Sequence, residues 1–438
     1  MEIKDPVHGT ITLAKPEVAV IDSAAFQRLR LIKQLGFSEF SFPGATHSRY
    51  IHSLGVCHIA GLAFDYIFKD FEFSPGARER FRQVVRLGAL LHDIGHGPLS
   101  HATEEVMPQV ADLKIDVYKY RRAPMGQIHL LDEKRTKASH EDYTIKFITD
   151  SALTAILKKA FPDIDPYHVA SLIDKTLEAR DDFFVDKGLN FRTILSQLVS
   201  SEIDVDRMDY LERDAYFCGT NYGHVEMNWL LSNFTYHVVE NEVYLALNKR
   251  ALYTFDDFLI SRHHMYLMIY FHHKSIIYEE MLYRYLTSPD CTYRLPADIE
   301  EYIHCTDYSL YEHLAHSNNY WAQKITARQP FKVLFENHVL QEDPKTTRLI
   351  SALRESGIDF IAASSQARLS KYHGGSPDDK SFKIFVIDEY SPNETPITID
   401  KCTEIFQMYE KTRRIERVYV PGEVLDRAKK IREKLNSK

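Results

Sequence analysis

The stretch Leu90 to His101 reads Leu-Leu-His-Asp-Ile-Gly-His-Gly-Pro-Leu-Ser-His. An apolar run of helix formers, Arg86 to Leu91, ends in the doublet His92-Asp93. Gly95, Gly97 and Pro98 then stop the helix, because Gly accepts left-handed dihedrals and Pro cannot continue the ladder. Imidazole and carboxylate at a buried helix end cost free energy unless both find partners. A first-row divalent cation satisfies both. A capped helix end with both groups in water is the plainer alternative.

His52 and Asp206 carry the same chemistry elsewhere in the chain. Two His and two Asp leave coordination positions open for water, as a hydrolytic metal site requires. His96, His101 and His140 add titratable groups. In Ile203 to Asp214, the residues Asp206, Tyr210 and Arg213 share one helix face. Asp209 and Arg213 read as a solvent-exposed i,i+4 pair worth about a few tenths of a kcal/mol. Residue types alone leave a metal hydrolase and a helical binding module equally open.

The elements that must position these groups are mainly helical. Ile3, Val7, Ile11 and Leu13 form an extended opening around a turn at His8-Gly9. Helices are expected from Asp22 or Ser23 to Leu35, ended by Gly36, from Thr46 or Ser48 to Phe68, and from Gly76 into His92. Phe37 to Pro43 reads as an aromatic loop. Residues 109–138 are polar and uneven, which suggests a surface insertion or flap. Helices resume at Ser139 and run to Arg213, broken at Pro162 to Pro166 and at Lys187-Gly188. A hairpin is expected over Phe234 to Asn248, turning at Glu240-Asn241, followed by a long helix from Thr254 to Leu286. The tail, 331–438, reads as a small α+β domain after the helical part, 1–330. Its expected strands are Phe331 to Phe335, Phe382 to Ile387 and Val418 to Val420. Helices are expected at Thr346 to Ser356 and Ile399 to Lys411, a loop at Gly374 to Pro377 and a basic, solvated helix end over Arg427 to Lys438.

At 438 residues, 44% hydrophobic and 26% charged, the composition is that of an ordinary soluble globular protein of two or three domains. The net charge of -8 gives no global pull on nucleic acid or an anionic membrane. Five cysteines without a C-x-x-C spacing argue against a disulfide framework or zinc knuckle and fit a reducing compartment. Met1 to Thr10 is too charged for a signal peptide, and no apolar run approaches the ~20 residues of a membrane span. A cytoplasmic location is expected.

The order His52 … His92-Asp93 … Asp206 resembles the H…HD…D signature of HD-domain metal phosphohydrolases. The flanking words resemble the deoxynucleoside triphosphate triphosphohydrolase branch. They are Asp5-Pro6-Val7-His8-Gly9, Phe26-Gln27-Arg28-Leu29-Arg30, Gln34-Leu35-Gly36, Phe42-Pro43-Gly44-Ala45, His47-Ser48-Arg49 and His52-Ser53-Leu54-Gly55-Val56. The similarity is dense over 3–107 and returns at 139–145, 201–214 and 262–274. It implies a mainly α fold with a helical HD core.

By that resemblance, His52, His92, Asp93 and Asp206 hold one divalent transition metal (Mn, Fe, Ni or Zn), with Mg on the triphosphate. His96 and His140 are the active-site histidines. His140 acts as general acid toward the leaving 5′ oxygen, oriented by Glu104, whose carboxylate would raise its pKa. His101 contacts phosphate or sugar, and Arg49 the α-phosphate. Arg207 replaces the family's phosphate-binding lysine, with a fork suited to phosphate. Tyr210 and Arg262 face the triphosphate or sugar. Gln34, with neighbouring Leu35, and Asp214 bind the 3′-hydroxyl, and Tyr270 excludes a 2′-hydroxyl. Core packing accounts for Tyr270 almost as well, and a nearby carboxylate for Arg49.

Asp22, Gln27 and Arg30 match the guanine-reading side of a nucleotide activator site, while Met1 stands where the vertebrate relative has its activator lysine. The resemblance is expected to be to the type without a sterile-alpha-motif domain. The expected reaction is dNTP hydrolysis to deoxynucleoside and inorganic triphosphate by a homo-oligomer, a tetramer in the family, with no membrane and no nucleic acid expected as partners. The alternatives are an HD phosphohydrolase of nucleoside monophosphates or cyclic nucleotides, and a non-catalytic nucleotide sensor.

Overall fold

The computed structural model describes residues 1–122, 136–339, 343–367, 383–391, 394–403, 405 and 413–436. The fold is mainly α, as expected, and most buried apolar side chains belong to one continuous core. Its central helix, Arg49–Ile67, starts after Ser48 and is buried on nearly every side. Glycine lets a neighbour come very close. A Cβ at Gly55 would stand 1.8 Å from Asp209 Oδ1, so helix Val205–Cys218 lies directly against this one. Helix Ala77–Leu91 begins at Gly76, in the left-handed region with φ +79°, and delivers His92 at its C-cap. A Cβ at Gly95 would stand 2.1 Å from the His140 carbonyl oxygen. The turn after His92-Asp93 therefore abuts the start of helix His140–Thr149.

Several elements differ from expectation where long-range polar contacts override apolar periodicity. Lys15–Ile21 is an additional short helix opened by Pro16. The expected helix from Asp22 to Leu35 is one turn, Ala24–Gln27, that tightens to a 3-10 turn, Arg28–Leu31, and ends at an extended Ile32. Arg28 is buried here, and its guanidinium donates to the carbonyls of Ile94, His96 and Cys305 at 3.4, 2.7 and 3.0 Å. Gly36 opens a 3-10 turn, Gly36–Phe40, within the expected aromatic loop. The expected helix from Thr254 to Leu286 is two helices, Leu252–Met265 and His273–Leu286, joined by a π-turn at Tyr266–Tyr270. Nδ1 of His272 caps the second.

The described part of 109–138 packs onto the body and is not a free flap. Leu113 and Ile115 are buried in the core, Tyr118 Oη donates to Asp142 at 2.6 Å, and Arg121 pairs with Asp174. Residues 123–135 lie outside the described residues.

The opening is a hairpin, Glu2–Asp5 with Gly9–Thr12, pairing Ile3 with Ile11. Phe234–Val239 and Glu242–Asn248 form the expected hairpin. Glu242–Asn248 is the buried middle of a mixed sheet. It pairs in parallel with Leu189–Asn190, which forms a small hairpin with Val185–Asp186 around Lys187-Gly188, and with Phe385–Ile387. Phe385–Ile387 and Ile397–Thr398, both from the tail, thus belong to a sheet of the helical part. The tail also has its own three-stranded antiparallel sheet, with Arg413–Val420 between Lys332–Val339 and Ile361–Ala367. Helices Pro344–Glu355 and Leu425–Asn436 cover it, and Ala428 of the basic helix is buried there. The Gly374 to Pro377 loop lies outside the described residues, as does most of the stretch after the 3-10 turn Ile399–Lys401.

Candidate metal centre and active site

Four side chains converge where the ends of three helices meet. His52 Nε2 stands 3.0 Å from Asp206 Oδ1 and 3.6 Å from Asp93 Oδ2. His92 Nε2 stands 3.4 Å from Asp206 Oδ1 and 3.3 Å from Asp93 Oδ1. His52, His92 and Asp93 offer ligand atoms within 4.8 Å of one another, a group that could hold a metal ion, and Asp206 stands beside both histidines. The outer nitrogens are committed: His52 Nδ1 is bonded to Asp209 at 2.7 Å and His92 Nδ1 to the Ala89 carbonyl at 2.7 Å. With Nδ1 donating outward in each, a neutral imidazole at either position would present its Nε2 lone pair inward. Both Nε2 atoms are buried without a hydrogen bond among the described residues, as orphaned polar atoms are when they await an ion.

The field agrees. Burial opposes charging His52, yet Asp206 and Asp209 push its imidazole up to about 10. Burial also opposes the charge on Asp93, but Arg49, His92 and His96 hold its carboxyl well below the usual range, and His52 and His92 do the same for Asp206. A site this hungry for positive charge is served by neutral imidazoles on a dication.

Asp209 and Arg213 correct the expectation of an exposed pair: both are fully buried. Arg213 forks onto Asp209 at 2.7 and 2.9 Å and reaches Asp5 at 2.8 Å. His8 Nε2 meets Asp209 at 2.6 Å. The close approach at Gly55 buries them, which i,i+4 spacing does not reveal.

His96, His101 and His140 form a second cluster with ligand atoms within 4.8 Å. It is poorly shaped for a metal. His96 and His140 are stacked at 3.9 Å and 14°, so their lone pairs run side by side instead of converging. Glu104 Oε1 takes Nδ1 of His140 at 2.6 Å and of His101 at 3.1 Å. Burial opposes its charge, but the two imidazoles hold Glu104 below its ordinary value. Burial, then the charges of Arg49 and His140, hold His96 well below the histidine value, so it stands neutral, 3.3 Å from Asp93. The cluster thus joins the metal centre through Asp93.

Arg49 pairs with Asp93 and donates to Ser100 Oγ at 2.9 and 3.1 Å. Arg207 is buried and turned onto the start of its own helix, to Asp204 and the Ser201 carbonyl. Arg262 lies 3.4 Å from Glu202. On the other side, Asp214 is buried between His47 Nε2 at 2.7 Å and the Tyr270 hydroxyl at 2.8 Å, and Tyr210 meets the Tyr270 ring edge-on at 6.1 Å. The π-turn carries Tyr270 to this contact. Gln34 Oε1 is buried with no hydrogen bond among the described residues, and Leu35 beside it is half-buried. Asp22 and Arg30 are exposed; Arg30 donates to Gln27 at 2.7 Å and lies 3.6 Å over the Tyr50 ring. The contacts of Asp209, His47 and Ser100 are not evident from the sequence, although all three stand inside or beside the motifs that carry the resemblance.

This helical scaffold and ligand set define the class, an HD-domain protein with a candidate metal centre. Residues 49–214 match the HD domain and residues 231–355 the HD associated region, so the chain belongs to the HD-domain proteins. It is similar to uncharacterized protein YwfO of Bacillus subtilis, 34% identical over 271 residues, covering 61% of this chain and 51% of that one. It is 29% identical over 290 residues to human deoxynucleoside triphosphate triphosphohydrolase SAMHD1, covering 64% and 43%. The chain thus spans about half the length of such curated relatives. A crystal structure of a hypothetical protein from Aquifex aeolicus superposes with a TM-score of 0.74 at 26% identity, covering 98% of this chain and 99% of that one. Among the described residues, no helix is long and apolar enough to cross a membrane.

Proposed function

We propose that this HD-domain phosphohydrolase hydrolyses dNTPs to deoxynucleoside and inorganic triphosphate, with water attacking the α-phosphorus. The convergence of His52, His92, Asp93 and Asp206, with two inward nitrogens that make no hydrogen bond among the described residues, carries the reading. A bound Mn, Fe, Ni or Zn ion supplies Lewis acidity and a lowered water pKa, with Mg on the triphosphate.

The protein's own groups do the rest by position and charge. Arg49, already beside Asp93, is in place to share its guanidinium with an α-phosphate oxygen. Glu104 accepts from His140 Nδ1, and the doubly protonated ring gives its Nε2 proton to the leaving 5′ oxygen as general acid. Neutral His96 and exposed His101 flank it. Arg207, Arg262 and Tyr210 take the triphosphate, Arg207 by exchanging Asp204 for phosphate. Asp214 and the bare Gln34 oxygen, with Leu35 alongside, take the 3′-hydroxyl, and Tyr270 closes the space a 2′-hydroxyl needs. An activator nucleotide at Asp22, Gln27 and Arg30 and a homotetrameric assembly complete the proposal; the exposure of Asp22 and Arg30 leaves the activator position open to a nucleotide.

The test is to incubate the protein with each dNTP and Mn or Mg and separate products by ion exchange, with His92→Ala as control. Deoxynucleoside plus triphosphate from the wild type only is expected. Turnover that requires a second nucleotide supports the activator site. Hydrolysis of monophosphates or cyclic nucleotides with dNTPs untouched overturns the substrate, and binding without turnover turns the reading to a sensor.

A further inference from the structure

The HD associated region reaches into the active site at one buried carboxylate. Asp307, at the start of helix Asp307–His316, is 1% exposed. Its Oδ2 accepts from the Lys33 N–H at 2.9 Å and its Oδ1 from the Leu99 N–H at 2.7 Å. Lys33 precedes Gln34 and Leu35. Leu99 opens the 3-10 turn Ser100–Val106, which carries His101 and Glu104. Ser100 Oγ, bonded to Arg49, also donates to the Lys33 carbonyl at 3.2 Å. The two loops thus meet at Ser100, and Asp307 holds both.

The backbone there needs holding. Leu99 and Ser100 are consecutive non-glycine residues in the left-handed region, at φ +52° and +59°. Such conformations persist only where the surroundings over-determine them. Neighbouring residues brace the adjoining turn: Tyr302 Oη donates to the Gly95 carbonyl at 2.9 Å, and the Cys305 carbonyl receives Arg28 Nε.

We propose that Asp307 is a positioning residue of the active site, whose ionised carboxylate clamps the Gln34 and His101 loops together and whose protonation releases one of them. Only the ionised form offers two strong acceptors; a carboxylic acid spends one oxygen as a donor. Burial pushes Asp307 up to about 6, against the two N–H bonds and the charges of Lys33 and Arg28. Tyr311 on its own helix also faces it, and Glu39 pairs with Lys33 at 2.6 Å. Asp307 is therefore ionised at pH 7.5 and takes up a proton as pH falls through about 6. That these loops serve a nucleotide rests on the proposed function.

Hydrogen exchange tests the clamp without any assumption about substrate. Protection factors of the Lys33 and Leu99 amides, corrected for intrinsic rates, are compared at pH 7.5 and 5.2 in wild type and Asp307→Asn. At least one amide should lose about tenfold protection at the lower pH in wild type, and the variant should show the low value at both. In the same preparations, kcat/KM of the variant should fall about tenfold or more, and its acid limb near pH 6 should disappear. Unchanged protection in wild type and variant, or an unchanged kcat/KM in a folded variant, overturns the proposal. Wild type that hydrolyses no dNTP overturns the substrate reading alone, because the exchange result still decides the clamp.

Discussion

Asp209 Oδ2 accepts the Nδ1–H of His52 at 2.7 Å while its other oxygen meets His8 at 2.6 Å, so one buried carboxylate links the opening hairpin to a metal ligand. Arg213 and Asp5 complete the chain of contacts. Burial opposes the charge on Asp209, yet Arg213, His52 and His8 hold its carboxyl well below the usual range. The carboxylate sets the direction and basicity of His52, as outer partners do for metal-bound imidazoles.

Asp209→Asn is therefore expected to lower metal affinity by about 10- to 100-fold. Metal titration followed by elemental analysis of the dialysed protein measures this. Wild-type affinity in the variant would show that His52 needs no such partner.

Glu104 serves two imidazoles but no metal ligand directly, which separates its effect from that of Asp209. Glu104→Gln should leave metal content unchanged and reduce kcat by about 10²- to 10⁴-fold, the span of a lost general acid. Single-turnover rates with metal-loaded protein, alongside elemental analysis, check both halves.

The Tyr270 hydroxyl fixes one oxygen of Asp214 at 2.8 Å, and His47 fixes the other. If this wall excludes a 2′-hydroxyl, Tyr270→Ala should raise the ratio of ribonucleotide to deoxynucleotide turnover by about tenfold. Competition of ATP against dATP in one reaction reads the ratio directly. No change in it would assign Tyr270 to core packing.

Away from the site, Glu17 and Arg86 form a buried fork at 2.6 and 2.9 Å. Burial works against the Glu17 charge, but Arg86 and the Ala14 N–H hold its carboxyl below the ordinary value. Its stabilisation is fully present above the unfolded glutamate value and is lost as pH falls through the lower folded one, a window below about pH 4. Glu17→Gln leaves Arg86 uncompensated and should cost about 3–5 kcal/mol at pH 7, with the difference narrowing in acid. Urea unfolding at several pH values measures it.

The four metal-ligand candidates were legible because each sits in a short word whose neighbours set the local turn. The glycines after His92-Asp93 and the Ser48 start of the His52 helix are visible in one dimension. Asp209 was legible as a residue but not as a partner, since the Gly55 contact that buries it depends on two helices meeting. The failed helix at 24–35 has the same origin: Arg28 answers to carbonyls at Ile94, His96 and Cys305, far along the chain. Asp307 acts through backbone N–H groups, which no residue pattern announces. In the tail, the strand at Phe385–Ile387 was anticipated, but its parallel partner, Glu242–Asn248, is a pairing that alternation cannot identify.

Hydrolysis of a dNTP in water enriched in ¹⁸O, with mass analysis of both products, tests the central claim most directly. Attack at the α-phosphorus places the label in the inorganic triphosphate and leaves the 5′ oxygen of the deoxynucleoside unlabelled. Label in the deoxynucleoside, or release of pyrophosphate with a nucleoside monophosphate, would contradict it.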